Sequence, residues 1–216
     1  GRPAYTLVLP DLRARVRLQV SGRHQVADRL AAAAVARELG MSADALPEAL
    51  GDLRAMSSRR MDIFDRADGV TVIDDSYNAN PASTAAALHA MAALGRDRRT
   101  IAVLGYHAEL GDYEQEGHEE VGRVAAQLGV DRLIVVGEEA AAIRDGAAAV
   151  ATWGGEAVLA TDQDAAVEAL RVDLRPGDVV LVKGSRYRTW RVADALREEE
   201  SLAGGNRAAE PEGGAA

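Results

Sequence analysis

A segment of closely spaced polar side chains follows an apolar run that ends at Ile73. It extends from Asp74 to Pro81, with the sequence DDSYNANP. Its carboxylate, hydroxyl and amide groups can all form hydrogen bonds with a ligand, and Pro81 suits the first turn of a helix. The residues alone leave two interpretations open. The segment is a ligand-binding loop, or Asn80 and Ser83 cap the helix beside two solvated carboxylates.

Cationic side chains able to hold an anionic group occur at two further places. Lys183 and Arg186 follow the last strongly apolar run, and Arg60 lies upstream of the polar segment. A guanidinium can bind two phosphate oxygens at once, which makes Arg60 a candidate phosphate ligand. The alternatives are ordinary surface charges, with Arg60 paired to Asp62 or Asp65.

Among the histidines, His107 is the candidate for acid–base chemistry. It lies in the segment Gly105–Gly111, which follows another apolar run. Imidazole titrates near neutral pH and can act as a general base. Because no carboxylate that could orient it is identifiable, we predict an exposed polar side chain without a catalytic role. For His118, within a predicted helix, and for His89 we expect structural roles.

The elements that must position these residues alternate between short apolar runs and amphipathic stretches. The runs predict five strands, and the stretches predict the helices that connect them. The strands are 70–73, 100–104, 132–136, 157–160 and 179–182, and the helices are 82–94, 115–128, 138–151, 163–172 and 189–197. This predicts an α/β fold with an open, doubly wound, mostly parallel sheet. In such folds, ligands bind beyond the carboxyl ends of the strands.

The amino-terminal residues have a different rhythm. Thr6–Leu9 and Arg15–Val20 alternate as strands, without an obvious partner before them. An alanine-rich helix is predicted from Val26 to Leu39, with Gly40 as its carboxyl-terminal cap, and a short helix follows over 43–50.

These patterns predict three parts of the chain. Residues 1–57 form a small unit, and residues 58–200 form the α/β domain. Residues 201–216 are rich in Gly, Ala and Glu without apolar periodicity, so we predict a disordered tail. Since the sequence starts at Gly1 without an initiator Met, we expect it to be part of a longer protein.

Composition narrows the classes of function. No run reaches the roughly 18 apolar residues of a membrane span, and the amino terminus has no signal pattern, so we expect a cytoplasmic protein. Without cysteine there are no disulfides or thiolate metal sites. A formal charge of -9 argues against binding to a nucleic-acid backbone, so an anionic ligand would need local cations. We expect a monomer.

Ten consecutive residues resemble a motif of the Mur family of ligases. Val72–Pro81, VIDDSYNANP, is similar to the strand, loop and helix start that open the third domain in the D-alanyl-D-alanine-adding branch. Gly22–Val26, followed by the alanine-rich helix, resembles the end of the family's central ATP-binding domain. The similarity continues in family order through RMD at 60–62, IAVLG at 101–105, ELG at 109–111, HEEVG at 118–122 and VLVKGSR at 180–186.

The resemblance implies domains and a reaction. Residues 1–57 would be the remnant of a central ATPase domain, and residues 58–200 the Mur ligase C-terminal domain. The ligase would use ATP and Mg²⁺ to phosphorylate the terminal carboxylate of a UDP-N-acetylmuramoyl tripeptide. The amine of D-Ala-D-Ala would then displace phosphate from the acyl phosphate, during synthesis of peptidoglycan precursors.

The resemblance also implies roles for individual residues. Arg60 and Lys183 are the expected catalytic residues: Arg60 would reach toward the ATP phosphates, and Lys183, with Arg186, would hold the acceptor dipeptide. Asp75 would bind the ATP ribose. The remaining expected contacts are His24, Gln25 and Asp28 for the nucleotide, and Tyr77, Asn78, Asn80 and Ser185 for the substrate.

Several family features are missing or altered. No Gly-x-x-x-x-Gly-Lys-Ser/Thr sequence occurs, so we expect no ATP hydrolysis by this chain alone, and no metal ligand can be named. Asp28 and Arg29 replace an Asn and a small residue, and Tyr106 and His107 replace an acidic residue and Met. These changes leave open a noncatalytic binding or scaffold module. Another amino-acid-adding ligase fits the polar loop less well, and an oxidoreductase lacks its Gly-x-Gly-x-x-Gly turn.

Overall fold

The computed structural model describes residues 3–19, 22–23, 25–53, 58–185 and 188–207, the last nine of these as backbone. The predicted boundary at residue 57 falls between the described ranges. The amino-terminal part begins with a hairpin of β1 (Ala4–Leu9) and β2 (Leu12–Arg17). The two predicted strands are therefore partners of each other, antiparallel, with Leu7 opposite Ala14.

Two helices complete this small unit. Helix α1 (Gln25–Glu38) ends before Gly40. Gly40 has a φ of 93°, and its amide donates a hydrogen bond to the Arg37 carbonyl, which confirms the predicted cap. A 3₁₀ turn and α2 (Leu46–Asp52) follow. The helices cover one face of the hairpin, because alternate strand residues are apolar. The shared core consists of Leu7, Val16, Leu18, Ala33, Leu46 and Leu50.

The larger unit contains a six-stranded sheet in the order β3-β4-β8-β5-β6-β7. Its strands are β3 (Asp62–Asp65), β4 (Thr71–Asp74), β5 (Thr100–Gly105), β6 (Arg132–Val136), β7 (Glu156–Ala160) and β8 (Val179–Lys183). The last five are parallel, as predicted. Strand β3 was not predicted, and it pairs antiparallel with β4 at the edge. Its two apolar residues, between acidic ends, are too few to form a recognisable run.

Helices cover both faces of this sheet. They are α3 (Pro81–Leu94), α4 (Glu114–Gln127), α5 (Ala141–Ala148), α6 (Gln163–Asp173) and α7 (Trp190–Arg207). Alternation along the strands sends Ile73 and Leu181 toward α3, α4 and α5, and Val72 and Val180 toward α6 and α7. The doubly wound α/β prediction is thereby confirmed. No described helix is long and apolar enough to cross a membrane.

Helix α7 corrects the predicted tail. It continues to Arg207, so residues 201–207 are helical rather than disordered. The segment from Glu198 through Ala203 contains good helix formers, which extend the helix although they offer no apolar periodicity. Residues 208–216 lie outside the described residues.

The strand order reverses at the centre of the sheet. Strand β8 lies between β4 and β5, although it is the last strand in the sequence. The loops after these three strands therefore leave the sheet side by side, at the position where doubly wound folds bind ligands. All the polar segments singled out in the larger unit adjoin this edge or the segment before β3.

Candidate active site

Lys183, the last residue of β8, is buried at the reversal point, with 2% of its surface exposed. Its Nζ lies 2.5 Å from Asp75 Oδ2 and 2.9 Å from the Asn78 carbonyl oxygen. The Asp75 carbonyl is a third, longer contact at 3.5 Å. The ammonium therefore neutralises Asp75 and binds the backbone of the loop after β4.

The segment before β3 is bound to the same loop. Arg59 and Met61 have φ values of 63° and 49°, a left-handed conformation that side chains other than glycine disfavour. The Met61 amide donates to Asp75 Oδ1 at 2.9 Å, and the Tyr77 amide donates to the Arg59 carbonyl at 3.0 Å. These bonds hold Arg60 between two left-handed residues beside the loop.

Arg60 is exposed, and its guanidinium lies over the ring of Tyr77, 4.2 Å from the centroid. The alternative of a surface ion pair is wrong within the described residues. Asp62 instead binds Arg197 at 2.9 Å, and Asp65 accepts from the Thr71 hydroxyl at 2.6 Å. The guanidinium edge of Arg60 is therefore available to a ligand.

The end of the loop caps helix α3. Asn80 Oδ1 accepts from the Ser83 amide at 2.8 Å, and Ser83 Oγ accepts from the Asn80 amide at 3.1 Å. The helix-cap interpretation is confirmed for this pair. Its other half, two solvated carboxylates, is wrong, because Asp74 is 2% exposed and accepts from the Ser76 hydroxyl at 2.5 Å. Burial raises the pKa of Asp74.

Ser185 joins the loops after β8 and β5. Its Oγ donates to the Tyr106 carbonyl at 3.0 Å and accepts from the Ala108 amide at 2.8 Å. Its own amide also donates to the Tyr106 carbonyl at 3.0 Å. The hydroxyl predicted to bind substrate is thus occupied by backbone groups that set the spacing of the two loops.

Three rings stack beneath the loop after β5. The His118 ring lies 5.2 Å from Tyr106 and 4.9 Å from His107, centroid to centroid. His118 Nδ1 donates to the Glu114 carbonyl at 2.7 Å, and Nε2 accepts from the His107 amide at 3.0 Å. His118 thus has a structural role, as predicted. No sequence signal announced the stack, because its members come from a loop and a helix.

His107 is fully buried, so the prediction of an exposed side chain is wrong. Its ring packs on His118, and its Nε2 lies 3.2 Å from the Thr84 hydroxyl of α3. Burial, then the charges of His118 and Lys183, lower its pKa from 6.5 to about 3. His107 is therefore neutral at physiological pH, and a general base needs both access and a pKa near neutrality.

The other predicted site residues fall elsewhere. Gln25 and Asp28 lie in the first turn of α1, on the amino-terminal unit, and Asp28 is exposed. His24 and Arg186 lie outside the described residues. Tyr77 and Asn78, in contrast, belong to the loop after β4 and are exposed, with the Tyr77 ring against the Arg60 guanidinium. Within the described ranges, no group of three or more His, Asp or Glu side chains is placed to hold a metal ion.

The fold and the loop cluster define an open α/β domain with its candidate site at the reversal of strand order. Comparison with known families then identifies it. Residues 59–186 match the model described as "Mur ligase, glutamate ligase domain", and the chain belongs to the Mur ligase family.

Two of the similar proteins are the same ligase from different bacteria. The chain is 45% identical to the UDP-N-acetylmuramoyl-tripeptide--D-alanyl-D-alanine ligase of Mycobacterium tuberculosis, over 93% of this chain and 43% of that protein. It is 35% identical to that of Escherichia coli, over 90% of this chain and 41% of that protein. The chain thus spans less than half the length of these relatives.

Solved structures share the fold. A crystal structure of MurF from Acinetobacter baumannii matches with a TM-score of 0.78 and 28% identity, over 90% of this chain and 42% of that one. MurF from Thermotoga maritima, crystallised in complex with ADP, matches with a TM-score of 0.71 and 26% identity, over 89% of this chain and 42% of that one.

Proposed function

We propose that this chain is the carboxy-terminal part of an ATP-dependent ligase that adds D-Ala-D-Ala to a UDP-N-acetylmuramoyl tripeptide in the cytoplasm. The observation that carries the proposal is the position of Arg60. Its guanidinium is exposed and held over Tyr77 by a strained backbone that is bound to Asp75. Such strain is typical of functional sites. In addition, the UDP-N-acetylmuramoyl-tripeptide--D-alanyl-D-alanine ligase of Mycobacterium tuberculosis matches 93% of this chain.

Arg60 suits the phosphoryl-transfer step. Phosphorylation of the tripeptide carboxylate, and later release of phosphate, both involve negative charge on phosphate oxygens. A planar guanidinium can hold two of these oxygens, and Arg60 is already oriented before the substrate arrives. The described residues do not form a site for Mg²⁺, so we assign no step of the ion to them.

Asp75 suits the ATP ribose. Each of its carboxylate oxygens has a donor, Met61 N or Lys183 Nζ, and keeps a lone pair for a ribose hydroxyl. The side chain is 13% exposed, so a ligand can still reach it. The contacts with the nucleotide that we expected of His24, Gln25 and Asp28 remain proposals.

Three exposed polar side chains in the loop after β4 are candidates for binding the acceptor dipeptide. We propose that Tyr77, Asn78 and the free amide nitrogen of Asn80 bind its peptide and carboxylate groups, together with Arg186. Ser185 then acts through the loops that it joins. Lys183 was expected to hold the acceptor dipeptide with Arg186, but its donors are directed at Asp75 and Asn78.

A chimera tests this function. The matching carboxy-terminal part of the Mycobacterium tuberculosis relative is replaced by this chain, and phosphate release and ligated product are measured. We expect turnover that needs ATP, D-Ala-D-Ala and the tripeptide together. Arg60→Lys keeps the charge but loses the two-pronged geometry, so it should lower kcat by about 10- to 100-fold. A folded chimera without turnover would refute the proposal.

A second candidate is ligation of a different amino acid. The family description names a glutamate ligase, and the UDP-N-acetylmuramoylalanine--D-glutamate ligase of Rubrobacter xylanophilus is 39% identical over 76% of this chain. A second chimera, in which this chain replaces the matching part of that D-glutamate ligase and which is supplied with D-glutamate and UDP-N-acetylmuramoyl-L-alanine, distinguishes them. A noncatalytic binding module would bind the acceptor in calorimetry and leave every chimera inactive.

A further inference from the structure

Lys183 is the sole lysine of the chain, among 25 cationic residues of which all others are arginine. It is also buried: its side chain is 3% exposed, and that of its partner Asp75 is 13% exposed. A buried charge is costly unless it is paired and hydrogen-bonded. We infer that position 183 needs an ammonium group and that an arginine would not replace it there.

The geometry of its contacts explains that requirement. An ammonium is a compact charge with three donors, and Lys183 directs it at the Asp75 carboxylate and at the carbonyls of Asn78 and Asp75. A guanidinium is larger and planar, and its donors lie in one plane. These three oxygens belong to one short loop, so the ammonium holds that loop against the end of β8.

The contact continues beyond the loop. Asp75 Oδ2 binds Lys183, while Oδ1 accepts from the Met61 amide. Met61 and Arg59 have the left-handed conformations that place Arg60 between them. That conformation is unfavourable for residues other than glycine, so it must be maintained by bonds from outside the segment.

We propose that Lys183 is a positioning residue, whose ion pair with Asp75 holds the segment 59–61 in the conformation that presents Arg60. This rests on the proposed function for its consequence but not for its geometry. Lys183 acts through Asp75 and does not touch the acceptor. The Asp75 carboxylate therefore connects Lys183 at the end of β8 to the segment that contains Arg60.

A single lysine makes the test selective. In the full chain, the amines are Lys183 and the amino terminus, so acetylation located by mass spectrometry reports on Lys183 alone. We expect Lys183 to react far more slowly in the native chain than in the same chain unfolded in urea. In Asp75→Asn, which keeps an oxygen for the Met61 amide but loses the charge, Lys183 should become reactive. Lys183 that reacts as fast in the native chain as in the unfolded chain would overturn the proposal.

Hydrogen exchange tests the connection to Arg60. In Lys183→Met, we expect the Met61 amide to exchange at least about tenfold faster, although this amide is bonded to Asp75 and not to Lys183. The amides of β6 are the internal reference, because general destabilisation would accelerate both. Equal acceleration at both places, or none at Met61, would contradict a positioning role. Arg197→Met, which removes the exposed pair with Asp62, is the matched control and should leave Met61 protected.

Calorimetry with D-Ala-D-Ala separates this proposal from direct acceptor binding. Loss of binding in Lys183→Met with Met61 protection intact would show that the ammonium contacts the dipeptide, and would overturn the positioning role. If Lys183→Met does not fold, Asp75→Asn carries the same comparison. An inactive chimera with the expected exchange pattern would refute the proposed function and leave the Lys183 contact standing.

Discussion

The guanidinium of Arg60 lies 4.2 Å above the ring centroid of Tyr77, the residue that follows Ser76 in the loop after β4. Both side chains are exposed, and the backbones are joined through the Tyr77 amide and the Arg59 carbonyl. The ring thus supports the guanidinium on one side, while the exposed side chain keeps donors available to a ligand. The backbone thus fixes the position of Arg60, and the Tyr77 ring fixes the direction of its side chain.

Replacing Tyr77 by leucine removes this support. A cation–π contact at an exposed site contributes about 0.5–1 kcal/mol, which corresponds to roughly a two- to fivefold effect. We expect Tyr77→Leu to lower kcat/KM for ATP in the chimera by that factor, measured by phosphate release. Tyr77→Phe keeps the ring and should preserve this value, while raising KM for D-Ala-D-Ala if the hydroxyl binds the acceptor. A loss for ATP in the Phe variant would exclude the ring as the cause.

Gly122 of α4 lies against the backbone of α5. A methyl group at Gly122 would overlap the Ile143 carbonyl oxygen, and one at Gly146 would overlap the Glu119 carbonyl. Helix propensity alone favours Gly→Ala by about 1 kcal/mol, but two rigid backbones cannot separate without opening the core. We expect Gly122→Ala to lower the free energy of unfolding by about 3 kcal/mol or more, measured in urea.

The comparison for this substitution is Gly51 in α2. A methyl group there would meet a carbonyl oxygen of Arg17 at 3.3 Å, which a small shift relieves. The gain in helix propensity then offsets the contact, so Gly51→Ala should change stability by less than about 1 kcal/mol. Equal losses in both variants would mean that the close approach of α4 and α5 does not limit the size of residue 122.

Sequence patterns predicted the parallel strands and their helices because buried strands are continuous apolar runs. They missed β3, whose residues Ile63 and Phe64 stand between aspartates, and they ended α7 too early. Asp75 and Lys183 were recognised as site residues, but their direct pairing was not, since 108 residues separate them. The left-handed backbone at Arg59 and Met61 could not be predicted from the sequence, because arginine and methionine ordinarily avoid this conformation.

His118 connects the loop after β5 to α4. Both ring nitrogens are hydrogen-bonded, and the ring is stacked against Tyr106 and against His107. Two hydrogen bonds and two ring contacts contribute about 2–4 kcal/mol together. We expect His118→Ala to lower the free energy of unfolding by this amount in urea titration. His89, for which we also expected a structural role, is exposed on α3 and serves as the control, so His89→Ala should stay within about 0.5 kcal/mol of the native chain.

The neighbouring His107 gives stability a pH dependence. Because its pKa is lowered to about 3 in the folded protein, only the unfolded chain binds a proton between pH 6.5 and 3. The unfolded state gains protons as the pH falls, so this contribution is complete above pH 6.5 and is lost toward pH 3. Its slope is about 1.4 kcal/mol per pH unit within that window.

We expect His107→Met to reduce this slope. Urea unfolding of both proteins at several pH values between 4.5 and 7.5 measures it, and the difference between their curves removes the titration of other groups. The difference should change by about 2–3 kcal/mol from pH 6.5 to 4.5, with the native chain losing more stability on acidification. His89→Gln, at an exposed histidine, should parallel the native chain. Parallel curves for His107→Met as well would show that His107 can be protonated without opening the fold.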